Sequence, residues 1–316
     1  MKKPDTATRR SRRPAEARRA LGAFRLLYPP AGLALAAAAA AGAGRPAAGP
    51  SQLFLGLTYR CNRACAHCRY ARADWRRAGG EMPRRLAVSA LAQGRALGIP
   101  RAVFFGGEPL LYKGLDALVS KAAALGYFTE LDTNGALLTP GRVEALKRAG
   151  LASVMISLHG AAPGEHDRVS GPGAFARALT AVRRCSAAGL LTYVSTCVFD
   201  GRRQAGMLRR LFAVAAGHGA HGARLLPFAG REGGADPRSN RAILAAARGP
   251  RASGFARTCL VSPASCEASR GRIVYVSPSG EVTRCPYSAL PAGNLRERGL
   301  GAILAGNRGK RTGIFC

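Results

Sequence analysis

The sequence predicts an α/β fold, a partial (β/α)6 barrel with a small carboxy-terminal extension built on a β-hairpin. Three observations carry this. Six short apolar runs, at about 53–58, 101–105, 127–132, 153–158, 191–198 and 223–227, read as buried strands. Stretches with apolar residues at helical spacing separate them, and small or polar motifs follow the strand ends. Strands that alternate with helices call for parallel pairing through right-handed crossovers. In barrels of this kind the chemistry sits at the carboxyl ends of the strands.

Before the first strand, residues 1–50 form a basic, Ala-rich leader, disordered or helical, with nine Lys or Arg against two acids in the first 25. Its run from Gly32 imitates a secretory signal, but it is short and mostly alanine, too weak to span a bilayer. The chain therefore reads as cytoplasmic, with no integral membrane segment. Helical periodicity is clear in Arg84–Leu97, Leu115–Leu125, Arg142–Ala149, Phe175–Ala188 and Met207–Ala216. These elements place a barrel at 51–230, a linker at 231–258 and the extension at 259–316.

The 316 residues, 47% of them hydrophobic, suffice for a barrel and a small appendage. The formal net charge of +31 is extreme. Most of it is Arg in an Ala- and Gly-rich background, which points to compositional bias. A surface for RNA, acidic peptide or anionic membrane competes with that account. With no RNA-binding module or aromatic-interleaved basic motif, composition is favoured and nucleic acid is not the expected partner.

The chemistry starts after the first strand, where Cys61, Cys65 and Cys68 stand at C-x3-C-x2-C spacing. A cubane cluster takes four thiolates, so a tight loop offering three leaves one iron open to another ligand. Zinc is the alternative, since it also binds Cys and His at short spacing, but residues 69–158 contain no further Cys or His. The next strand runs into Gly106-Gly107-Glu108-Pro109, where paired glycines allow close backbone approach beside a carboxylate. Later strands end in Asp132-Thr133-Asn134-Gly135 and in Ile156-Ser157-Leu158-His159-Gly160.

These motifs together resemble the radical S-adenosylmethionine (radical SAM) superfamily, with His67 at a position that is usually aromatic. The resemblance implies a [4Fe-4S] cluster on Cys61, Cys65 and Cys68, with S-adenosylmethionine chelating the open iron. It implies that Gly106, Gly107 and Glu108 hold the amino group of S-adenosylmethionine, a donor that needs acceptors. Thr133 and Ser157 would turn hydroxyls to the cofactor. The usual acid of the fourth strand end is His159 here, either a proton-handling group or a neutral histidine without catalytic work. Residues 166–175 resemble the loop that follows this strand in peptide- and tetrapyrrole-modifying relatives, and Arg168 there is a candidate carboxylate contact or a solvated side chain.

In the extension, Cys266 is followed by thirteen residues, Gly280, four more and Cys285, and Cys259 lies upstream. Tyr275 to Val282 reads as a hairpin turning at Ser279-Gly280. This spacing, with Cys285-Pro286-Tyr287 and Gly293-Asn294, resembles the opening of SPASM and twitch extensions. The resemblance implies one auxiliary cluster on Cys259, Cys266, Cys285 and Cys316, in a domain either shortened or cut at its carboxy terminus. Buried thiols or a disulfide are the alternative. Cys185 and Cys197 read as core residues. By resemblance the chain takes electrons from a donor such as flavodoxin or ferredoxin and acts on a peptide or a tetrapyrrole. A scaffold or RNA-binding role is the reading from another class.

Overall fold

A computed structural model describes residues 49–68, 80–199, 201–227, 256–258, 267–288 and 290–306. The leader, Cys259, Cys266 and Cys316 lie outside the described residues. Six strands occur where the apolar runs fall: β1 (Gln52–Gly56), β2 (Arg101–Phe105), β3 (Phe128–Thr133), β4 (Ser153–Ser157), β5 (Leu191–Val198) and β6 (Gly222–Pro227). Each pairs in parallel with the next. Four further strands lengthen the sheet, namely β7 (Ala256–Thr258), β8 (Ile273–Val276), β9 (Glu281–Thr283) and β10 (Gly293–Asn294). The full order is β10-β9-β8-β1-β2-β3-β4-β5-β6-β7.

The helices are α1 (Arg84–Ala96), α2 (Leu115–Ala124), α3 (Pro140–Arg148), α4 (Pro163–Ser170), α5 (Ala174–Ala187), α6 (Gly201–Gly217) and α7 (Leu300–Ala305). Local chemistry sets their ends. Thr139 caps α3 by accepting from the Arg142 amide, with Pro140 at the first helical position, where a missing N–H costs nothing. The α5 face Ala178, Leu179, Ala181, Val182 and Cys185 is buried, which places Cys185 in the core as its helical spacing suggests. Residues 166–175 are not a continuous loop. Pro163 starts α4, Gly171 at φ +91° ends it, and α5 begins three residues later. Eight residues with a weak apolar pattern hide a helix from periodicity, and packing against α5 supplies what propensity does not.

Alternation along the strands separates two apolar regions. Leu53, Leu55, Ala102 and Phe104 point into the main core with the helices. Phe54 and Val103, one residue out of step, join Tyr275, Ile273, Ala268 and Cys285 in a smaller cluster on the concave side. The expected hairpin is present: β8 and β9 pair antiparallel around Gly280, whose φ is +93°. Its inner strand β8 also pairs in parallel with β1, so the described part of the extension continues the barrel sheet.

Near the amino ends of the strands the concave side is closed by charge. Arg101 forms a fully buried ion pair with Glu130, and its second guanidinium nitrogen donates to Gln52 Oε1 at 2.6 Å. Ser153 Oγ donates to the other Glu130 oxygen at 3.3 Å. Removing one member of such a pair leaves an uncompensated buried charge. Glu130→Gln should therefore lower unfolding stability in urea by about 3–5 kcal/mol, with Arg101→Met/Glu130→Leu recovering most of it. A loss under about 1 kcal/mol for the single variant would show that the pair is not buried as described.

Candidate functional site

All the motifs after the strands meet on one rim. The chain leaving β1 is fastened to the end of β2 by backbone bonds: Leu57 N–H to Phe105 O, Gly107 N–H to Thr58 O at 2.7 Å, and Glu108 N–H to Arg60 O at 2.8 Å. This explains the paired glycines. A Cβ on Gly106, whose φ is +142°, would come within 2.6 Å of Thr58 O, and one on Gly107 would collide with Arg60 O. Both glycines are half-buried, and the approach they permit is first of all that of the segment entering the cysteine loop.

Glu108 has no exposure, and its carboxylate faces inward. Oε1 accepts from Thr133 Oγ1 at 2.7 Å and from the Leu110 amide at 3.1 Å, and Oε2 accepts from the Asn134 amide at 2.9 Å. Burial raises its carboxyl above the usual range, and these donors pull the other way. Glu108 thus ties the ends of β2 and β3 together, and the Thr133 hydroxyl is directed at Glu108. Ser157, half-buried at the end of β4, is in register with Ser195.

The cysteine loop rests on this frame. Cys61, Cys65 and Cys68 are reduced thiols of intermediate exposure, and the loop turns through a Cys68 N–H to Cys65 O bond at 3.1 Å. The Ala66 amide donates to Val169 O and Arg63 to Ser170 O, which docks the loop on α4. Asn134 Nδ2 donates to Asn62 Oδ1 at 2.7 Å and lies 4.0 Å from Cys61 Sγ. Burial pushes the Cys61 thiol up to about 11 and also raises that of Cys65. Metal binding would displace those protons, as it does wherever thiolates are ligands. Three thiols of intermediate exposure on one tight loop supply the donor types of a cluster with one open iron, while among the described residues no three such side chains are already gathered at metal-binding distance.

The loop's own imidazole, His67, meets two more, His159 and His166. His67 packs edge-on against His159 with centroids 4.5 Å apart, and His159 stacks on His166 at 5.6 Å. Backbone donors hold two of them: the Cys197 amide bonds His159 Nδ1, and the His159 amide bonds His166 Nδ1. In a neutral ring that leaves the proton on Nε2. Burial holds His159 well below its ordinary value and lowers His166 to about 4, so both are neutral at physiological pH. Arg168 is exposed on α4. Cys197 is buried, 8% exposed, on β5.

Sequence reasoning missed Asn134 as a partner of the cysteine loop, and it missed the support given by Asn62 and His166. Asn134 was visible inside the Thr-Asn-Gly motif; its reach to residue 62 depends on sheet order. Cys285 is buried in the concave apolar cluster, with the Tyr287 amide 3.5 Å from its sulfur. Its expected companions Cys259, Cys266 and Cys316 lie outside the described residues.

Residues 55–204 match the model of the Radical SAM superfamily. A PqqA peptide cyclase of Gluconobacter oxydans is 32% identical over 172 residues, covering 54% of this chain and 47% of that protein. A PqqA peptide cyclase of Ruegeria pomeroyi is 34% identical over 142 residues, 45% of this chain and 38% of that one. The match thus spans less than half the length of these curated relatives. Among solved structures, Streptococcus suis SuiB bound to precursor peptide SuiA superposes with a TM-score of 0.66 at 15% identity, over 91% of this chain and 74% of that one. Native anSMEcpe with bound AdoMet and Cp18Cys peptide gives 0.63 at 15% identity, over 81% and 80%. At such identities these two show a shared fold.

Two substitutions test the frame. Glu108→Gln keeps the shape but places an amide NH2 against backbone or hydroxyl donors, so stability should fall by about 1.5–3 kcal/mol in chemical denaturation. No change would mean that the carboxylate is not the link between β2 and β3. Gly107→Ala should push the 58–60 backbone away from β2, so iron bound after anaerobic reconstitution should drop while far-UV circular dichroism stays native; full iron loading would contradict the close approach.

Proposed function

From the premise that this chain belongs to the radical SAM superfamily, through its domain at residues 55–204, we propose that it cleaves S-adenosylmethionine reductively and modifies a peptide. The observation that carries the reading is the convergence of the three-thiol loop, the Gly106-Gly107-Glu108 turn and the Asn134 strand end on one rim. A [4Fe-4S] cluster held there and reduced by an external electron donor would supply one-electron reductive cleavage of bound S-adenosylmethionine, and with it hydrogen-atom abstraction from a substrate C–H bond.

The chain's own residues do the rest. Cys61, Cys65 and Cys68 would each hold one iron and leave the last open. Gly106 and Gly107 would present backbone acceptors to the amino group of the cofactor, with Glu108 fixing that turn from within. Asn134 steadies the loop next to Cys61, and Ser157 offers a hydroxyl at the rim. His67 packs edge-on against both His159 and Phe199, and the buried His159 would form the floor of the site.

The relatives' names, a PqqA peptide cyclase and a SuiB bound to its precursor peptide, support a peptide over a tetrapyrrole. Cys285, with Cys259, Cys266 and Cys316, remains our candidate ligand set for an auxiliary cluster, and a flavodoxin or ferredoxin is the electron donor such chemistry calls for. No helix among the described residues is long and apolar enough to cross a membrane. We place the protein in the cytoplasm because an oxygen-sensitive cluster needs a reducing compartment.

The decisive variant replaces Cys61, Cys65 and Cys68 with Ala. After anaerobic reconstitution and reduction, the unaltered protein should form 5′-deoxyadenosine and the variant none. Equal formation by both would remove the cysteine loop from the chemistry.

A further inference from the structure

The cysteine loop carries one buried side-chain nitrogen with no hydrogen-bond partner among the described residues, Nδ1 of His67. His67 stands between two of the thiols. The Cys68 amide donates to Cys65 O at 3.1 Å, which closes a turn with Ala66 and His67 at its centre. Ala66 is exposed there, while His67 is half-buried. The imidazole is fixed from two sides, edge-on against His159 with centroids 4.5 Å apart and against Phe199 at 5.7 Å. His159 is in turn held by the Cys197 amide, 3.1 Å from its Nδ1.

A ring nitrogen enclosed without a bond costs about 1–3 kcal/mol, whether it is a bare lone pair or an N–H. What the loop is built to bind decides between the two. Thiolates and bridging sulfides are acceptors, so a cluster on Cys61, Cys65 and Cys68 satisfies an N–H and leaves a lone pair stranded. Nδ1 is bonded to Cγ and is therefore the ring nitrogen that stays close to the main chain, beside the turn that carries Cys65 and Cys68. A donor of the same kind serves the other end of the loop, where Asn134 Nδ2 lies 4.0 Å from Cys61 Sγ. The ring faces of His159 and Phe199 are weak acceptors by comparison.

We propose that His67 tunes the cluster: as the Nδ1–H tautomer it donates a hydrogen bond to a cluster sulfur, either a sulfide or a cysteine thiolate, and so raises the reduction potential. This rests on the cluster reading above and gives a role to the side chain at a position that is usually aromatic. The direction follows from charge. Reduction by the external donor adds one electron to the cluster, and a hydrogen bond to sulfur strengthens as the sulfur becomes more negative, so the reduced state gains more than the oxidised one. A phenyl ring in the same place would fill the space beside His159 and Phe199 but donate nothing. His67 thus eases the one-electron loading that cleavage of S-adenosylmethionine requires.

The test uses reconstituted, reduced protein without S-adenosylmethionine, so that contacts to the cofactor play no part. With isotopically labelled histidine nitrogens, pulsed electron paramagnetic resonance of the cluster should show a weak nitrogen coupling that disappears in His67→Phe. A redox titration should place the midpoint of His67→Phe about 59 mV lower, the one-electron equivalent of a tenfold shift in the reduced-to-oxidised ratio. His67→Asn carries its amide nitrogen on Cγ, where the imidazole carries Nδ1, and should restore most of the difference although it has no ring. Absence of the nitrogen coupling in the unaltered protein overturns the proposal, whatever becomes of the variants. So does a coupling that survives in His67→Phe, or a midpoint left unchanged in His67→Phe. A midpoint lowered equally in both variants overturns it as well, because ring packing would then be the cause. An unaltered protein with no [4Fe-4S] signal overturns the cluster reading and this role together, whereas 5′-deoxyadenosine formation with neither coupling nor shift overturns the role of His67 alone.

Discussion

The rim depends on one buried carboxylate. A carboxylate without solvent is expensive to hold unless donors replace the water, and Glu108 receives three, from Thr133, Asn134 and Leu110. Those donors come from the end of β3 and from the turn that Glu108 itself begins. Satisfying the charge therefore fixes two strand ends relative to each other. The glycines just before Glu108 then let the backbone of residues 58–60 lie against the same turn. The position of the cysteine loop follows from that contact, with Asn134 and α4 holding it from either side.

The sheet divides labour by alternation. Residues on its convex side bury the helices, and residues one step out of phase line the lumen. Within the lumen, charge is layered: Arg101 with Glu130 near the amino ends, Asp132 with Arg224 above, and the neutral histidines next to His67 of the loop. The hairpin of β8 and β9 extends this sheet beside β1 and brings Cys285 and Tyr287 to the apolar wall. The extension and the barrel thus share one interior.

Most of the barrel was legible because buried parallel strands are short continuous apolar runs, and the first six lie within a residue or two of their expected places. The three thiols and the Gly-Gly-Glu-Pro turn were equally plain, since their spacing is local. What stayed hidden depends on sheet order. The reading gave Glu108 to the cofactor, whereas the structure turns its carboxylate toward Thr133 and Asn134, residues 25 and 26 positions away. Arg101, Glu130, Asp132 and Arg224 were visible as charges within apolar strands, but nothing in sequence pairs Asp132 with a residue 92 positions later. Helix α4 escaped because eight residues give periodicity too little length to register.

The central claim is that the rim fixed by Glu108 holds a cysteine loop with three cluster ligands and leaves one iron for the cofactor. Electron–nuclear double resonance on the reduced, reconstituted protein tests it most directly, using S-adenosylmethionine isotopically labelled in its amino nitrogen and carboxylate oxygen. The account predicts hyperfine coupling of both labels to the cluster. A reduced [4Fe-4S] signal with neither coupling, in protein saturated with the labelled compound, would contradict it.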